Sequence, residues 1–119
     1  MLSFLGIKLI SKNKTSGNRT SVGIVEVYED GKWKQIWDKN WTMADSDVTC
    51  KDLGFIGAIE NFSLQYITKE HKTLSNKDYQ CSGRENYLSQ CLRNHVDTRL
   101  ACTNVAGTRC KNEGIYVIY

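Results

Sequence analysis

The stretch GIVEVYEDGKW (residues 23–33) combines two strand signals around a tight-turn signal. Its first half alternates apolar residues with polar or aromatic ones in the order Val25, Glu26, Val27, Tyr28, and a period of two is typical of a β-strand. The dipeptide Asp30-Gly31 is favoured in two-residue turns between antiparallel strands, and Trp33 begins the return strand. The stretch therefore predicts a β-hairpin.

A helix signal follows in TMADSDVTCKDLGF (residues 42–55). Thr42 can cap the N-terminus, with Asp45 three positions later completing a capping box. Gly54 can end the helix in a left-handed conformation. The apolar residues that can contribute to a buried side are Ala44, Val48 and Cys50.

Weaker signals supply the remaining elements. Strands are predicted at Ile7–Ser11, over Phe62–Glu70, and in GIYVIY (residues 114–119), which is β-branched and aromatic. Between the cysteines of CSGRENYLSQC (residues 81–91), the apolar positions give about one and a half helical turns. The start, MLSFLGIKLI, is too short and too interrupted by Lys8 for a membrane span, and it lacks the features of a signal peptide.

Length and composition indicate one globular domain, over residues 1–119. A hydrophobic content of 40% and a charged content of 24% are ordinary for a folded protein. The net charge of +3 is too small to indicate a nucleic-acid-binding protein, so we expect no nucleic acid as a physiological partner.

Cysteines and glycosylation sequons point to the secretory pathway. The five cysteines lack the close pairs of a zinc site or a thioredoxin-type motif. Four sequons are present, and each single site has about even odds of being used. They favour a secreted or cell-surface domain, where disulfides persist. The sequon asparagines are Asn13, Asn18, Asn40 and Asn61.

The order of these pieces resembles the scavenger receptor cysteine-rich domain family over about residues 7–110. The matching pieces, in the family's order and spacing, are GIVEVYEDGKW, DVTCKDLGF, CSGRENYLSQC and VAGTRC. The resemblance implies an α+β fold, in which a small curved antiparallel sheet of about six strands cradles one main helix and disulfides staple the domain. The segment 114–119 would add a C-terminal strand to that core.

The resemblance also implies two disulfide pairs. Phe55 stands where members with eight cysteines carry a cysteine, so the chain is similar to the six-cysteine subclass. That subclass implies bonds between Cys50 and Cys110 and between Cys81 and Cys91. Chain entropy assigns them roughly 4 and 3 kcal/mol respectively.

In the family's third bridge, Trp37 takes the place of the first cysteine, and Cys102 matches the second. An unpaired Cys102 could be a buried residue, a partner for another chain, or a misaligned position; we favour burial beneath the indole. A competing alignment, which fits AGTRC less well, makes Cys110 the counterpart of the unpaired cysteine and Val117 the lost one.

Many family members bind ligands through a calcium site that needs several carboxylates. Here Asp38 is followed by Lys39, and the second acidic turn is reduced to the uncharged segment 103–105. We therefore expect no metal site and no cofactor.

A local excess of basic residues lies between positions 93 and 111, against a single acidic Asp97. Such an excess could face an extracellular protein or a polyanionic ligand, and the alternative is an ordinary solvated loop. The candidate ligand surface consists of Arg93, Arg99, Arg109 and Lys111.

No sequence signature of an enzyme accompanies Cys102, His71 or His95, so catalysis is not expected. The resemblance implies an extracellular ligand-binding module, secreted or in the ectodomain of an innate-immune or cell-surface receptor, which does not itself contact the membrane. The alternative is an accessory domain of a mosaic secreted protein, such as a complement-factor-I-like or transmembrane serine protease.

Overall fold

The structure of the chain is a computed structural model that describes residues 6–11, 21–65, 73–96 and 104–111. Its elements are β1 (Gly6–Ile10), β2 (Val22–Glu29), β3 (Lys32–Gln35), α1 (Met43–Asp52), β4 (Ala58–Gln65), β5 (Thr73–Leu74), β6 (Lys77–Gln80), a short 3-10 helix (Leu88–Gln90), β7 (Leu92–His95) and β8 (Asn104–Cys110). The main sheet has the strand order β4-β8-β2-β3-β5, with β1 also paired to β2, and β6 and β7 form a second sheet. This α+β arrangement of a curled sheet and one α-helix confirms the predicted fold class.

The predicted hairpin is β2 and β3. Asp30 and Gly31 form its turn with positive φ angles of 52° and 79°, as a primed two-residue turn requires. Tyr28 faces Trp33 across the two strands, and their rings meet edge to face with centroids 5.2 Å apart. The ring contact stabilises the hairpin next to its turn.

Glu26 departs from the alternation of buried and exposed residues expected for β2, because its side chain is fully buried. Gln35 on β3 donates to its carboxylate at 2.9 Å, and the Lys8 ammonium on β1 lies 4.0 Å away. The three residues form one cross-strand row on the face opposite Val25 and Val27. Both faces of the sheet are therefore covered at this point.

Helix α1 begins and ends where the sequence predicts. The Thr42 backbone N–H donates to Asp45, the Asp45 backbone N–H donates back to the Thr42 hydroxyl, and Gly54 follows the helix with φ of 98°. The buried side is more polar than expected. Val48 and Cys50 are buried and Ala44 is half-buried, but the buried set also includes Asp45, Ser46 and Thr49.

Three details of the predicted secondary structure are wrong. The sheet is mixed, because β3 and β5 run parallel. The strand expected over Phe62–Glu70 is β4, which starts at Ala58 and is described as far as Gln65. The helical turns expected between Cys81 and Cys91 reduce to the 3-10 helix, because the disulfide closes this loop tightly. The predicted strand 114–119 lies outside the described residues.

The core lies between the main sheet and α1. It contains strand residues from β1, β2 and β8 together with α1 and the Cys50–Cys110 bond, and its fully buried members include Val25, Val27, Val48 and Ala106. No helix in the described part of the chain is long and apolar enough to cross a membrane.

Candidate ligand-binding surface

Two disulfides link residues at very different sequence separations. Cys50 on α1 is bonded to Cys110 at the end of β8, 60 residues away, and this bond lies in the core. Cys81 is bonded to Cys91 over only 10 residues, between the end of β6 and the start of β7. These are the pairs that the family resemblance implies, and the first pair disfavours the competing alignment of Cys110.

Polar side chains of α1 hold the short disulfide loop. Asp45 accepts a hydrogen bond from the Cys81 backbone N–H at 2.8 Å, and Asp52 accepts one from the Leu88 backbone N–H at 2.9 Å. Lys51 donates to a carbonyl oxygen of the same loop, that of Gly83, at 2.9 Å. Burial raises the pKa of the Asp45 and Asp52 carboxyls above the ordinary value, and these hydrogen bonds only partly oppose that shift.

The hairpin of β6 and β7 presents a basic face. Lys77 lies opposite His95 and Tyr79 lies opposite Arg93, so these four side chains share one face of the second sheet. All four residues of β7 are exposed, whereas Tyr79, on the same face as Arg93, is buried against Glu29 at the end of β2. We call Lys77, Arg93 and His95 the hairpin basic face.

Tyr79 fixes this hairpin to the main sheet. Its hydroxyl donates a short hydrogen bond to Glu29 at the end of β2, and the Ser75 hydroxyl donates to the same carboxylate at 2.9 Å. Burial raises the pKa of the Tyr79 phenol, Glu29 raises it further, and the charge of Arg93 opposes the shift. The phenol therefore stays neutral and keeps the hairpin in a fixed orientation.

The structure does not gather the predicted basic residues into one patch. Arg93 is on β7 of the second sheet, whereas Arg109 is on β8 of the main sheet, where its guanidinium lies 3.0 Å from the Glu60 carboxylate. Lys111 is exposed just after β8, and Arg99 lies outside the described residues. Lys77 and His95 are neighbours of Arg93 that the sequence did not predict, because their proximity depends on the pairing of β6 with β7. The spacing of two residues between Arg93 and His95, which places both on one face of a strand, was the available signal.

Trp37 lies beside β8, where the lost bridge would have been. It forms an isolated bridge with Val105, and the backbone N–H of Asp38 donates to the Asn104 carbonyl at 3.2 Å. The Lys39 ammonium lies 5.3 Å from the centroid of the Trp37 ring. Cys102, the proposed neighbour of the indole, lies outside the described residues.

Among the described residues, no group of carboxylates comes together around Asp38. Its side chain accepts a hydrogen bond from the Ser63 hydroxyl at 2.6 Å. Within the described ranges, one group of potential metal ligands comes together, formed by Cys81, Glu85 and Cys91. Its two sulfurs are joined in the disulfide, and hydrogen bonds from the Ser82 and Gly83 backbone lower the pKa of Glu85, so this carboxylate serves to shape the loop.

Two of the four sequons lie in the described residues. Asn40 has a positive φ of 68°, and its amide donates to Asp78 at 3.3 Å. Asn61 is exposed on β4, and its amide donates to the Trp41 carbonyl at 3.3 Å. Asn13 and Asn18 lie outside the described residues.

The described part of the chain does not bring together a cysteine nucleophile and a histidine base. His95 is exposed on β7, within the hairpin basic face. His71 and Cys102 both lie outside the described residues.

Comparison with known proteins identifies the family. A family model of the scavenger receptor cysteine-rich domain matches residues 15–111. Lysyl oxidase homolog 2 of Gallus gallus is 39% identical over 92 residues, which cover 68% of this chain and 11% of that protein. Lysyl oxidase homolog 2B of Danio rerio is 36% identical over 88 residues, which cover 67% and 11% respectively. The chain thus spans about a tenth of the curated relatives it matches.

Solved structures show the same fold. The third scavenger receptor cysteine-rich domain of murine neurotrypsin superposes with a TM-score of 0.67 at 23% identity, covering 90% of this chain and 96% of that one. The dimeric form of the corresponding domain of mouse MARCO gives a TM-score of 0.51 at 21% identity, covering 92% and 91%. The match to the family model over most of the sequence, together with this fold, shows that the chain belongs to the scavenger receptor cysteine-rich domain family.

Proposed function

We propose that this chain is a single, non-catalytic extracellular module that binds a protein or polyanionic ligand through the hairpin basic face. The observation that carries the proposal is the placement of Lys77, Arg93 and His95 on one face of an exposed hairpin. Clustered positive charges such as those of Lys77 and Arg93 attract an acidic partner and orient it before contact. The hydrogen bond from the buried Tyr79, which lies on the same face, to Glu29 holds the hairpin against the main sheet, so little conformational entropy is lost on binding.

The extracellular location is supported by three observations. The family acts outside cells, disulfides of this kind persist in oxidising compartments, and the sequons at Asn40 and Asn61 lie at exposed positions. We propose that the domain is secreted or lies in the ectodomain of an innate-immune or cell-surface receptor. We also propose that residues 1–119 form a single domain, since the family model matches residues 15–111.

A charge-removal experiment tests the ligand surface. Replacing Lys77 and Arg93 together by Ser should lower the affinity for heparin, as a model polyanion, by about tenfold or more at low salt, because two positive charges of the face are lost. Arg109→Ser is the matched control, since Glu60 already neutralises that guanidinium. Equal losses in the two variants, or heparin binding that survives the double replacement, would contradict the proposed surface.

A second candidate is an accessory domain of a larger secreted protein. It is favoured by the similarity to lysyl oxidase homologues, of which this chain spans only 11%. In that role the domain would position or regulate a neighbouring catalytic domain of an oxidase or protease. Activity of the full-length protein with and without this domain tests the role: unchanged activity and unchanged substrate preference would count against it.

A further inference from the structure

Strand β4 is the longest sheet edge that the described residues leave open. It is at one end of the main sheet, paired to β8 on one side, and no other described strand pairs with it. Six of its eight residues are exposed; Ala58 is buried and Phe62 is half-buried. An open edge presents unpaired backbone N–H and C=O groups that can pair with another strand.

The side chains of β4 divide into an apolar and a polar row. Phe62 and Leu64 lie opposite Gly107 and Val105 of β8, and the Phe62 ring occupies the space that a Cβ at position 107 would need. Asn61 and Ser63 lie on the other face of the strand. Ile59 is set apart from both rows, because the register shifts at this residue in a β-bulge.

The pattern of β4 is complementary to itself. When two copies pair antiparallel about a two-fold axis at Ser63, Phe62 lies opposite Leu64 of the second copy, and Asn61 lies opposite Gln65 of the second copy. Apolar residues thus meet apolar residues and amides meet amides. The paired segment starts after the bulge at Ile59, so the bulge does not interrupt it.

The β4 edge differs in charge from β7, the other described strand with an open edge of comparable exposure. On β7, self-pairing would bring the Arg93 guanidinium groups of two copies close to one another, and the resulting repulsion disfavours association. The charged residue of β4 is Glu60, and its carboxylate is already paired with Arg109 of the neighbouring strand. The neutral β4 edge therefore fits a second copy of this chain better than it fits a charged partner.

We propose that β4 is a weak self-association edge and that a glycan on Asn61 keeps it closed. Asn61 lies within the segment that would pair, and a glycan there would project from the strand beside the approaching copy. Occupancy of this sequon thus sets whether two copies can join their sheets. The glycan part rests on the extracellular location proposed above, whereas the pairing part does not.

Sedimentation equilibrium over a wide protein concentration range tests both parts. Refolded, unglycosylated protein should self-associate, and Leu64→Lys should lower its association constant by about tenfold or more, since two lysines would be brought into the paired segment. Ile59→Lys is the matched control, because this residue is also apolar and exposed but lies at the bulge. Unglycosylated protein that remains monomeric, or association unaffected by Leu64→Lys, would overturn the pairing.

Protein secreted from animal cells tests the glycan. The wild type should carry a glycan on Asn61 and remain monomeric, whereas Asn61→Gln and Ser63→Ala, which each abolish the sequon, should associate like the unglycosylated protein. Asn40→Gln is the control that removes a different glycan. An unmodified Asn61, or association of the glycosylated form, would contradict control of the edge by the glycan. Protection from hydrogen exchange that is independent of concentration, in the β4 amides that do not bond to β8, would show that another part of the chain covers this edge.

Discussion

The carboxylate of Asp45, in the first turn of α1, accepts a hydrogen bond from the backbone N–H of Cys81 at 2.8 Å. The same carboxylate closes the helix capping box with Thr42. One buried side chain therefore fixes both the start of the helix and the start of the short disulfide loop. The loop has further contacts to α1 through Lys51 and Asp52, so its conformation depends on the helix as well as on the disulfide.

Removing the short disulfide should cost less stability than removing the long one. Chain entropy assigns about 3 kcal/mol to Cys81–Cys91 and about 4 kcal/mol to Cys50–Cys110, and the α1 contacts further restrain the short loop. Denaturant unfolding of the two double Cys→Ala variants measures the difference. A larger loss of unfolding free energy on removing Cys81–Cys91 would contradict this ranking.

Calcium should not stabilise the domain through Asp38. This carboxylate accepts a hydrogen bond from Ser63, its neighbour is the Lys39 ammonium, and a hard cation requires several oxygen ligands. The thermal unfolding midpoint should be the same in millimolar calcium and in chelator. A calcium-dependent rise in the midpoint that is absent from Asp38→Ala would refute the prediction.

Trp37→Cys should restore a third bridge by bonding to Cys102. Trp37 lies beside Val105, three positions from Cys102 along the chain, where the resemblance places the lost bond. The bond should raise the unfolding free energy by about 4 kcal/mol relative to the matched variant Trp37→Cys with Cys102→Ser, in which no bond can form. Mass spectrometry of non-reduced peptides identifies the linkage; a peptide in which both thiols are free would show that Trp37 does not replace a bridge partner.

The sequence predicted the elements that depend on neighbouring residues. The Asp30-Gly31 turn and the Thr42 capping box are local signals, and both are in the structure. The burial of Glu26 depends on Lys8 and Gln35 from two other strands, and the hairpin basic face depends on pairing between β6 and β7. Such contacts join residues distant in sequence, which neither hydrophobic period nor turn composition specifies.

Asp52→Asn should reduce the dependence of stability on pH. Burial raises the pKa of Asp52 in the folded state, so between the unfolded and folded pKa values the folded protein binds more protons. The contribution of Asp52 to stability is therefore greatest below the unfolded value, near 4, and is lost as the pH rises through the folded pKa. Asparagine keeps an acceptor for the Leu88 N–H without a charge to desolvate.

The variant should therefore match or exceed the wild type in unfolding free energy at pH 7, and this advantage should shrink on acidification towards pH 4. Urea unfolding at the two pH values measures the change. Glu85→Gln is an informative comparison, because loop hydrogen bonds lower the pKa of Glu85 and its contribution has the opposite sign: it is present above the unfolded pKa and is lost as the pH falls through the folded pKa. An Asp52→Asn variant whose disadvantage at pH 7 equals that at pH 4 would show that the Leu88 hydrogen bond, and not the desolvation of the charge, dominates at this position.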